Sequence, residues 1–310
     1  MPSRFSSDVY AARVARAAEL TAAAGLDALI VAPGPDLRYL VGSRANTFER
    51  LTALVIPADG PARLVIARLE TASVRESAIA DLGIEVDDWV DGEDPYARAL
   101  AGLTATPKVA VSDALPALHL VPIAHRIGAT PVLATDVLRE LRMIKDAAEI
   151  DALRTAGAAI DRVHARMGEW LKPGRTEAAV AADIAAALVD EGHTGAEFVI
   201  VGSGPNGADP HHEHSDRVIA PDDIVVIDIG GPVEPGYHSD STRTYCFAEP
   251  PAAIADAYAA LQEAQAAGVA AVRPGVSAES VDAAARDLLA ARGLADRFIH
   301  RTGHGIGLAV

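Results

Sequence analysis

Cysteine, aromatic residues and positive charge are all scarce in this sequence of 310 residues. The one cysteine, Cys246, excludes a disulfide within the chain, so a reducing compartment is expected. Lys and Arg total 27 against 43 Asp and Glu, which leaves a formal net charge of −16 at pH 7. Because binding to phosphates or anionic lipids depends on clustered positive charge, this balance argues against a nucleic-acid partner and against adsorption to a membrane.

Long apolar runs are missing as well. Charged side chains such as Arg4, Asp8 and Arg13 interrupt the N-terminal region, so the apolar core of a signal peptide is absent. No later run has the length and freedom from charge of a membrane span, and the cytoplasm is the expected location. The hydrophobic fraction of 50% is ordinary for a globular protein, and a chain of this length predicts two domains.

The first 140 residues alternate segments of helical and strand character. A helix is predicted over residues 14–24, closed by Gly25. Short apolar runs predict buried strands at residues 28–31, 54–56, 64–66 and 109–111. Such alternation predicts a layered α/β domain. Gly34-Pro35-Asp36 predicts a turn and not a phosphate-binding loop, so a nucleotide-binding role is not expected.

The second half of the sequence repeats itself. Residues 171–192 align without gaps on residues 272–293, and each copy has a basic residue, Pro-Gly, a Thr or Ser helix N-cap, an amphipathic helix and a closing Gly. Each copy follows another helix and precedes a strand-like segment that contains Phe198 or Phe298. This order predicts an internal duplication and a pseudo-twofold domain with a site between its halves, with two unrelated helical hairpins as the alternative.

Two aspartates lie on a predicted β-hairpin. Residues 224–229 form a β-branched run that carries Asp228, and residues 236–245 form a second strand that carries Asp240. The hairpin would bring the two carboxylates side by side on one face, where they repel each other unless a proton or a divalent cation lies between them. Taken alone, the pair also fits an alternative in which one aspartate caps a turn and the other faces solvent.

Histidines close to glycines add to this pattern. His304 lies between two glycines in an expected strand or tight loop, where the backbone can approach closely and the imidazole is free to bind a metal. His300 lies four residues earlier. Upstream, the glycine-rich segment 202–207 leads to the His-His-Glu-His cluster at residues 211–214, which alone would also fit an adventitious chelator.

In this order the motifs resemble those of the pita-bread metallopeptidases, the family of Xaa-Pro dipeptidase (prolidase) and aminopeptidase P. The resemblance rests on Gly202-Ser203-Gly204-Pro205-Asn206-Gly207, His211, Val226-Ile227-Asp228, Gly236-Tyr237-x-Ser239-Asp240-x-Thr242-Arg243-Thr244, Arg273-Pro274-Gly275 and Gly303-His304-Gly305-Ile306-Gly307. It implies an α/β creatinase-like N-terminal domain at residues 1–140 and an α+β pita-bread catalytic domain with a pseudo-twofold internal repeat at residues 141–310.

The resemblance also implies a dinuclear metal centre with two Asp, one His and two Glu ligands. Asp228, Asp240 (bridging both ions) and His304 match the first three, and His211 and His300 match histidines on the substrate side. The implied ions are manganese, cobalt, iron or zinc, with manganese favoured, and a homodimer is implied. The two glutamates would follow residue 310, so the domain is expected to be C-terminally incomplete, and the 310-residue polypeptide is expected to bind metal weakly and to be inactive.

The implied reaction is hydrolysis of Xaa-Pro peptide bonds by a metal-activated hydroxide, of the dipeptidase or the aminopeptidase P type. Relatives with the same fold hydrolyse creatine and other non-peptide substrates, and pita-bread domains without metal serve as binding modules. Both remain alternatives. The presence of Asp228, Asp240, His211 and His304 weighs against a binding module, which has no need of them.

Overall fold

A computed structural model describes residues 4–46 and 49–310 and divides the chain into two compact units. Unit 1 comprises Met1–Ala152, Glu234–Tyr237 and Gly307–Ala309, and unit 2 comprises Leu153–Val233, His238–Ile306 and Val310. The helices are α1 (Ser7–Ala23), α2 (Pro35–Val41), α3 (Pro95–Ala99), α4 (Ala117–Ile127), α5 (Thr135–Arg142), α6 (Ala147–Ala165), α7 (Glu177–Asp190), α8 (Ala252–Ala271) and α9 (Ala278–Ala291). The strands are β1 (Ala28–Val31), β2 (Ala53–Pro57), β3 (Arg63–Ala67), β4 (Glu85–Trp89), β5 (Val109–Val111), β6 (Val132–Leu133), β7 (Phe198–Ser203), β8 (Ile224–Val233) and β9 (Tyr237–Cys246).

Unit 1 contains a six-stranded mixed sheet in the order β4-β3-β2-β1-β5-β6. Strand β1 pairs antiparallel with β2 and parallel with β5, and all its residues are buried, as expected for a continuous apolar run inside a sheet. The outermost strand β6 is exposed. The predicted helix within α1 and the predicted strands β1, β2, β3 and β5 are confirmed, with strand bounds that differ by at most one residue.

The expected turn at Gly34-Pro35-Asp36 is wrong, because a helix begins there. Pro35 is the first residue of α2, where its missing N–H leaves no intrahelical hydrogen bond unmade and its fixed φ suits the helix. Gly42 ends the same helix with a φ of 70°, a left-handed conformation that glycine adopts without strain.

Unit 2 contains a three-stranded sheet in the order β7-β8-β9. On β8, Val225, Ile227 and Ile229 are fully buried and belong to a core shared with the apolar face of α7. Successive side chains of a strand point to opposite faces, so Asp228 lies on the face away from this core. The predicted hairpin is confirmed by β8 and β9, and its first strand carries Asp228 as expected.

Glycine at position 230 is required by the close approach of neighbouring strands. A Cβ atom on Gly230 would lie 2.5 Å from both the Phe198 ring and the Ser239 carbonyl oxygen. Gly231 has the same restriction, because a Cβ there would collide with the Gly195 carbonyl oxygen. Gly230 and Gly231 therefore allow β7, the segment before it and β9 to pack closely against β8.

The two sequence copies contain matching helices. Thr176 and Ser277 precede α7 and α9, and each hydroxyl accepts a hydrogen bond of 3.1 Å from the backbone N–H three residues later. Helix α6 precedes the first copy and α8 the second. The helical part of the predicted duplication is therefore confirmed.

The strand-like segment expected around Phe298 is wrong. The structure describes all of residues 292–310 and assigns no strand there. A short 3-10 turn, Ala295–Arg297, precedes Phe298. The Phe298 carbonyl oxygen accepts a hydrogen bond of 3.0 Å from the Arg286 side chain, which satisfies a backbone group that a neighbouring strand would otherwise serve.

Candidate metal centre

The β8–β9 hairpin carries Asp228 and Asp240 on one face. Thr242 Oγ1 donates a hydrogen bond of 2.7 Å to Asp228 Oδ1 across the two strands. Asp240 lies two residues before Thr242 and therefore on the same face of β9. Both aspartates are partly buried, so neither carboxylate is fully hydrated.

Electrostatics at Asp228 favour a cation. Burial raises the pKa of this carboxyl, the Thr242 hydrogen bond lowers it, and the negative charge of Asp240 raises it again. His211 and His304 are close enough to lower the same pKa, but the net shift is upward. An ionised Asp228 is thus destabilised in a way that a divalent ion would relieve. Two carboxylates and an imidazole are donors that manganese, cobalt, iron and zinc all accept, so these residues fit such an ion.

His304 lies against Asp240. Its Nε2 atom is 3.3 Å from Asp240 Oδ2, and its Nδ1 atom is 2.9 Å from the Gly305 carbonyl oxygen. Within residues 4–46 and 49–310, no three His, Cys, Asp or Glu side chains are gathered tightly enough to hold a metal ion between them. The structure thus pairs Asp240 with His304 and keeps Asp228 within electrostatic range, without closing the three into a coordination shell.

His300 borders a cavity of about 250 Å³ beside the hairpin. Thr242 of β9 and Tyr258 and Gln262 of α8 also line this cavity. Because Thr242 bonds to Asp228, the cavity adjoins the face that carries the aspartates. Its volume is slightly below the range of roughly 300–1,000 Å³ typical of pockets for drug-sized ligands, which suits a small substrate.

His211 lies in a segment without regular secondary structure, residues 209–217. Its side chain is exposed, and its backbone N–H donates a hydrogen bond of 3.0 Å to Asp209 Oδ1. The neighbouring histidines have other partners: His212 Nε2 is 2.8 Å from Glu177 Oε2, and His214 Nδ1 is 3.2 Å from the Val199 carbonyl oxygen. These different partners do not favour the cluster as an adventitious chelator.

Glu177, the first residue of α7, is a buried carboxylate that sequence reasoning missed. Its hydrogen-bond donors include the backbone N–H and hydroxyl of Ser203, His212, and the backbone N–H and hydroxyl of Ser215. Burial raises the pKa of Glu177, but the hydrogen bonds from Ser203, His212 and Ser215 outweigh it and lower the pKa to about 2. An acid in the first turn of a helix is ordinary. The duplication is the sequence feature that could have pointed to Glu177, because it aligns this acid with Ala278 of the second copy.

Asp282 and Arg286 of α9 hold the segment that contains His300, and they too were missed. Arg286 Nη2 donates a hydrogen bond of 2.7 Å to the His300 carbonyl oxygen. Asp282 Oδ1 accepts bonds of 2.7 and 2.8 Å from the backbone N–H and hydroxyl of Thr302. The bond from Arg286 holds the pKa of Asp282 well below its usual range. An acid and a base four residues apart are common on exposed helices, so this pattern alone does not indicate the role.

Two family models match the chain: metallopeptidase family M24 over residues 151–310, and the creatinase/prolidase N-terminal domain over residues 13–144. The probable dipeptidase PepE of Mycobacterium tuberculosis is 63% identical over 308 residues, which are 99% of this chain and 82% of that protein. The Xaa-Pro dipeptidase of Lactobacillus delbrueckii subsp. lactis is 29% identical over 295 residues, 92% of this chain and 79% of that protein.

Solved structures give the same result. The crystal structure of dipeptidase PepE from Mycobacterium ulcerans matches with a TM-score of 0.94 and 64% identity, and covers 99% of this chain and 83% of that one. The recombinant prolidase from Thermococcus sibiricus matches with a TM-score of 0.88 and 33% identity, with 97% and 82% covered. No helix in the described part of the chain is both long and apolar enough to span a membrane.

Proposed function

The chain belongs to metallopeptidase family M24, and from this premise we propose that it hydrolyses the bond between a first residue and proline in short peptides. Membership confirms the expected hydrolase class and the pita-bread fold with a creatinase-type N-terminal domain. Relatives named dipeptidase, Xaa-Pro dipeptidase and prolidase support the substrate class. The observation that carries the proposal is the Asp240–His304 pair beside the partly buried Asp228.

The divalent ions that a metallopeptidase uses are proposed to bind to Asp228, Asp240 and His304, with manganese as the favoured ion. When bound, the ions supply Lewis-acid chemistry: they lower the pKa of a water molecule and polarise the scissile carbonyl. Three side chains are few donors for two ions, and the family resemblance implies two further glutamates.

The side chains of the chain itself have separate proposed roles. Thr242 orients Asp228 through its hydrogen bond to one carboxylate oxygen, which leaves the other oxygen for a cation. His211 donates a hydrogen bond to the substrate carbonyl oxygen as that atom gains negative charge, and such donors are worth most where charge develops. His300 contacts the substrate from the wall of the adjoining cavity.

The proposed substrate and assembly follow from the same premise. An Xaa-Pro bond is a tertiary amide without an N–H, so its site must accept the pyrrolidine ring and needs no acceptor for that hydrogen. A homodimer, a cytoplasmic location and a domain boundary between residues 140 and 141 complete the proposal.

The test is a substrate panel offered to the purified protein loaded with Mn²⁺. Ala-Pro and Gly-Pro-X peptides separate dipeptidase from aminopeptidase activity, and creatine represents the non-peptide alternative. We expect cleavage at proline, and a loss of roughly 100-fold in kcat/KM together with reduced metal content for Asp240→Asn. Asp256→Asn removes an exposed aspartate on α8 and is the matched control, expected to behave like the parent. Hydrolysis of creatine without cleavage at proline would overturn the proposal.

A further inference from the structure

We propose that Glu177 is the positioning residue for His211: its buried carboxylate fixes the segment that presents this histidine to the substrate. The role given to His211 rests on the function proposed above. The position of Glu177 does not, because it follows from contacts within unit 2 alone.

The segment that carries His211 has little structure of its own. Residues 209–217 form neither helix nor strand, and most of their side chains are half-buried or exposed. A histidine used at a defined distance from a reacting carbonyl cannot be held by such a segment alone, since an error of about 1 Å is costly in catalysis. The segment therefore needs fixed points elsewhere in the fold.

Glu177 supplies these fixed points by bonding to residues before and after position 209, where the segment begins. Its Oε1 atom accepts hydrogen bonds of 2.8 and 2.6 Å from the backbone N–H and hydroxyl of Ser203, at the end of β7. Its Oε2 atom accepts bonds of 2.8 Å from His212 Nε2 and of 3.1 and 2.7 Å from the backbone N–H and hydroxyl of Ser215. Asn206 Nδ2 reaches both oxygens, at 3.1 and 3.2 Å. One carboxylate thus ties the strand end to the histidine segment.

The contact with His212 is the link to His211. His212 is half-buried with its ring against Glu177, whereas the adjacent His211 is exposed. His211 also lies within electrostatic range of Asp228. Fixing the ring of one histidine in the interior therefore restrains where the next one can lie.

A carboxylate is needed here, because all the groups around Glu177 donate hydrogen bonds. An ionised carboxylate only accepts, and it can accept several bonds on each oxygen. Glutamine has one accepting oxygen and an NH2 group that would point its hydrogens at other donors. Glu177→Gln keeps the size of the side chain and removes the match, so it is the variant of choice. Glu191→Gln is the matched control, since Glu191 follows the last residue of the same helix and pairs with Arg162 and Arg166.

The decisive experiment is a double-mutant cycle between Glu177→Gln and His211→Ala in the purified protein with Mn²⁺ and Ala-Pro. Glu177→Gln alone is expected to lower kcat roughly 10- to 100-fold, with KM changed by less than about threefold. In the His211→Ala background the same change should lower kcat by less than about twofold, because the residue that it positions is already gone. Equal losses in both backgrounds would mean that Glu177 acts without His211, and would overturn the inference.

A second readout does not depend on catalysis. In protein labelled with ¹³C-histidine, the ring signals of His211 are assigned by their disappearance in His211→Ala. Glu177→Gln is expected to shift or broaden these signals, and Glu191→Gln to leave them in place. If the parent fails to cleave Ala-Pro, the proposed function fails and this spectrum still decides the positioning role. Unmoved His211 signals in Glu177→Gln would overturn it.

Discussion

The two sequence copies of unit 2 hold their histidine segments by different means. In the first copy, a fully buried carboxylate at the start of α7 accepts hydrogen bonds from the segment of His211. In the second, the Asp282–Arg286 ion pair lies one turn into α9, is 26% and 39% exposed, and bonds to the segment of His300. The position that matches Glu177 is Ala278.

The hydrophobic clusters around α7 and α9 also differ. Helix α7 buries Ile184 and Leu188 in a cluster that extends to Val225 and Ile227 of β8. The cluster around α9 is formed by alanines, Ala260, Ala264 and Ala285, with Leu289. The two copies thus keep the same helices, although the burial and the charge of the surrounding side chains differ. The N-capping residues are the part that both copies share.

The largest expected effect comes from deleting the buried carboxylate. Glu177→Ala should lower the free energy of unfolding by about 5 kcal/mol, because Ser203, His212 and Ser215 would each lose an acceptor in the interior, at roughly 1–3 kcal/mol apiece. Asp282→Ala should cost less, since water can replace the lost bonds at an exposed ion pair. Urea unfolding of both variants measures the difference. Equal losses in the free energy of unfolding would mean that the two copies do not differ in this respect.

The next effect tests the two cores at positions that the duplication aligns. Leu188 and Leu289 are 0% and 4% exposed. Leu188→Ala should cost about 4 kcal/mol, because its cavity is enclosed by large side chains, and Leu289→Ala about 2 kcal/mol, because its surroundings can collapse or hydrate. Chemical denaturation gives both values. A larger loss for Leu289 would show that the alanine-rich cluster is the tighter of the two.

The sequence predicted the fold best where the residue pattern of a segment is typical of one kind of secondary structure. Apolar runs predicted the strands of unit 1, and the paired β-branched segments predicted the hairpin that carries Asp228 and Asp240. The expected strand around Phe298 failed, because a strand needs neighbours that no single segment specifies, and here Arg286 supplies the missing hydrogen bond instead.

The supporting residues of the site were harder to foresee. Asp228, Asp240, His304 and His211 were singled out by glycine neighbours and by family motifs. Glu177 stands in a place where helices commonly carry an acid, and only the fold reveals that it is buried beneath the His211 segment. Long-range partners of this kind leave no periodic trace in the sequence.

Lowering the pH should further distinguish the hydrogen bonds to Glu177 from the Asp282–Arg286 ion pair. The pKa of Glu177 falls from its ordinary 4.5 to about 2 in the folded protein, so its contribution to stability is complete above pH 4.5 and is lost as the pH falls towards 2. The urea midpoint of the parent should therefore drop between pH 5 and pH 3, and by less in Glu177→Gln. Asp282 shifts in the same direction, but its ion pair is exposed, so the effect of Asp282→Asn should shrink in about 1 M NaCl.

The smallest effect concerns what the copies have in common. Thr176 and Ser277 each accept a hydrogen bond of 3.1 Å from the backbone N–H three residues later, so each caps one free donor of its helix. Thr176→Ala and Ser277→Ala should each cost about 1 kcal/mol in urea unfolding, and Gly at either position only a few tenths. Equal losses would mean that the caps act locally, independent of the core beneath them. If Thr176→Ala costs much more than Ser277→Ala, the cap of the first copy is coupled to the adjacent Glu177 network, and the copies differ even in the element that looks shared.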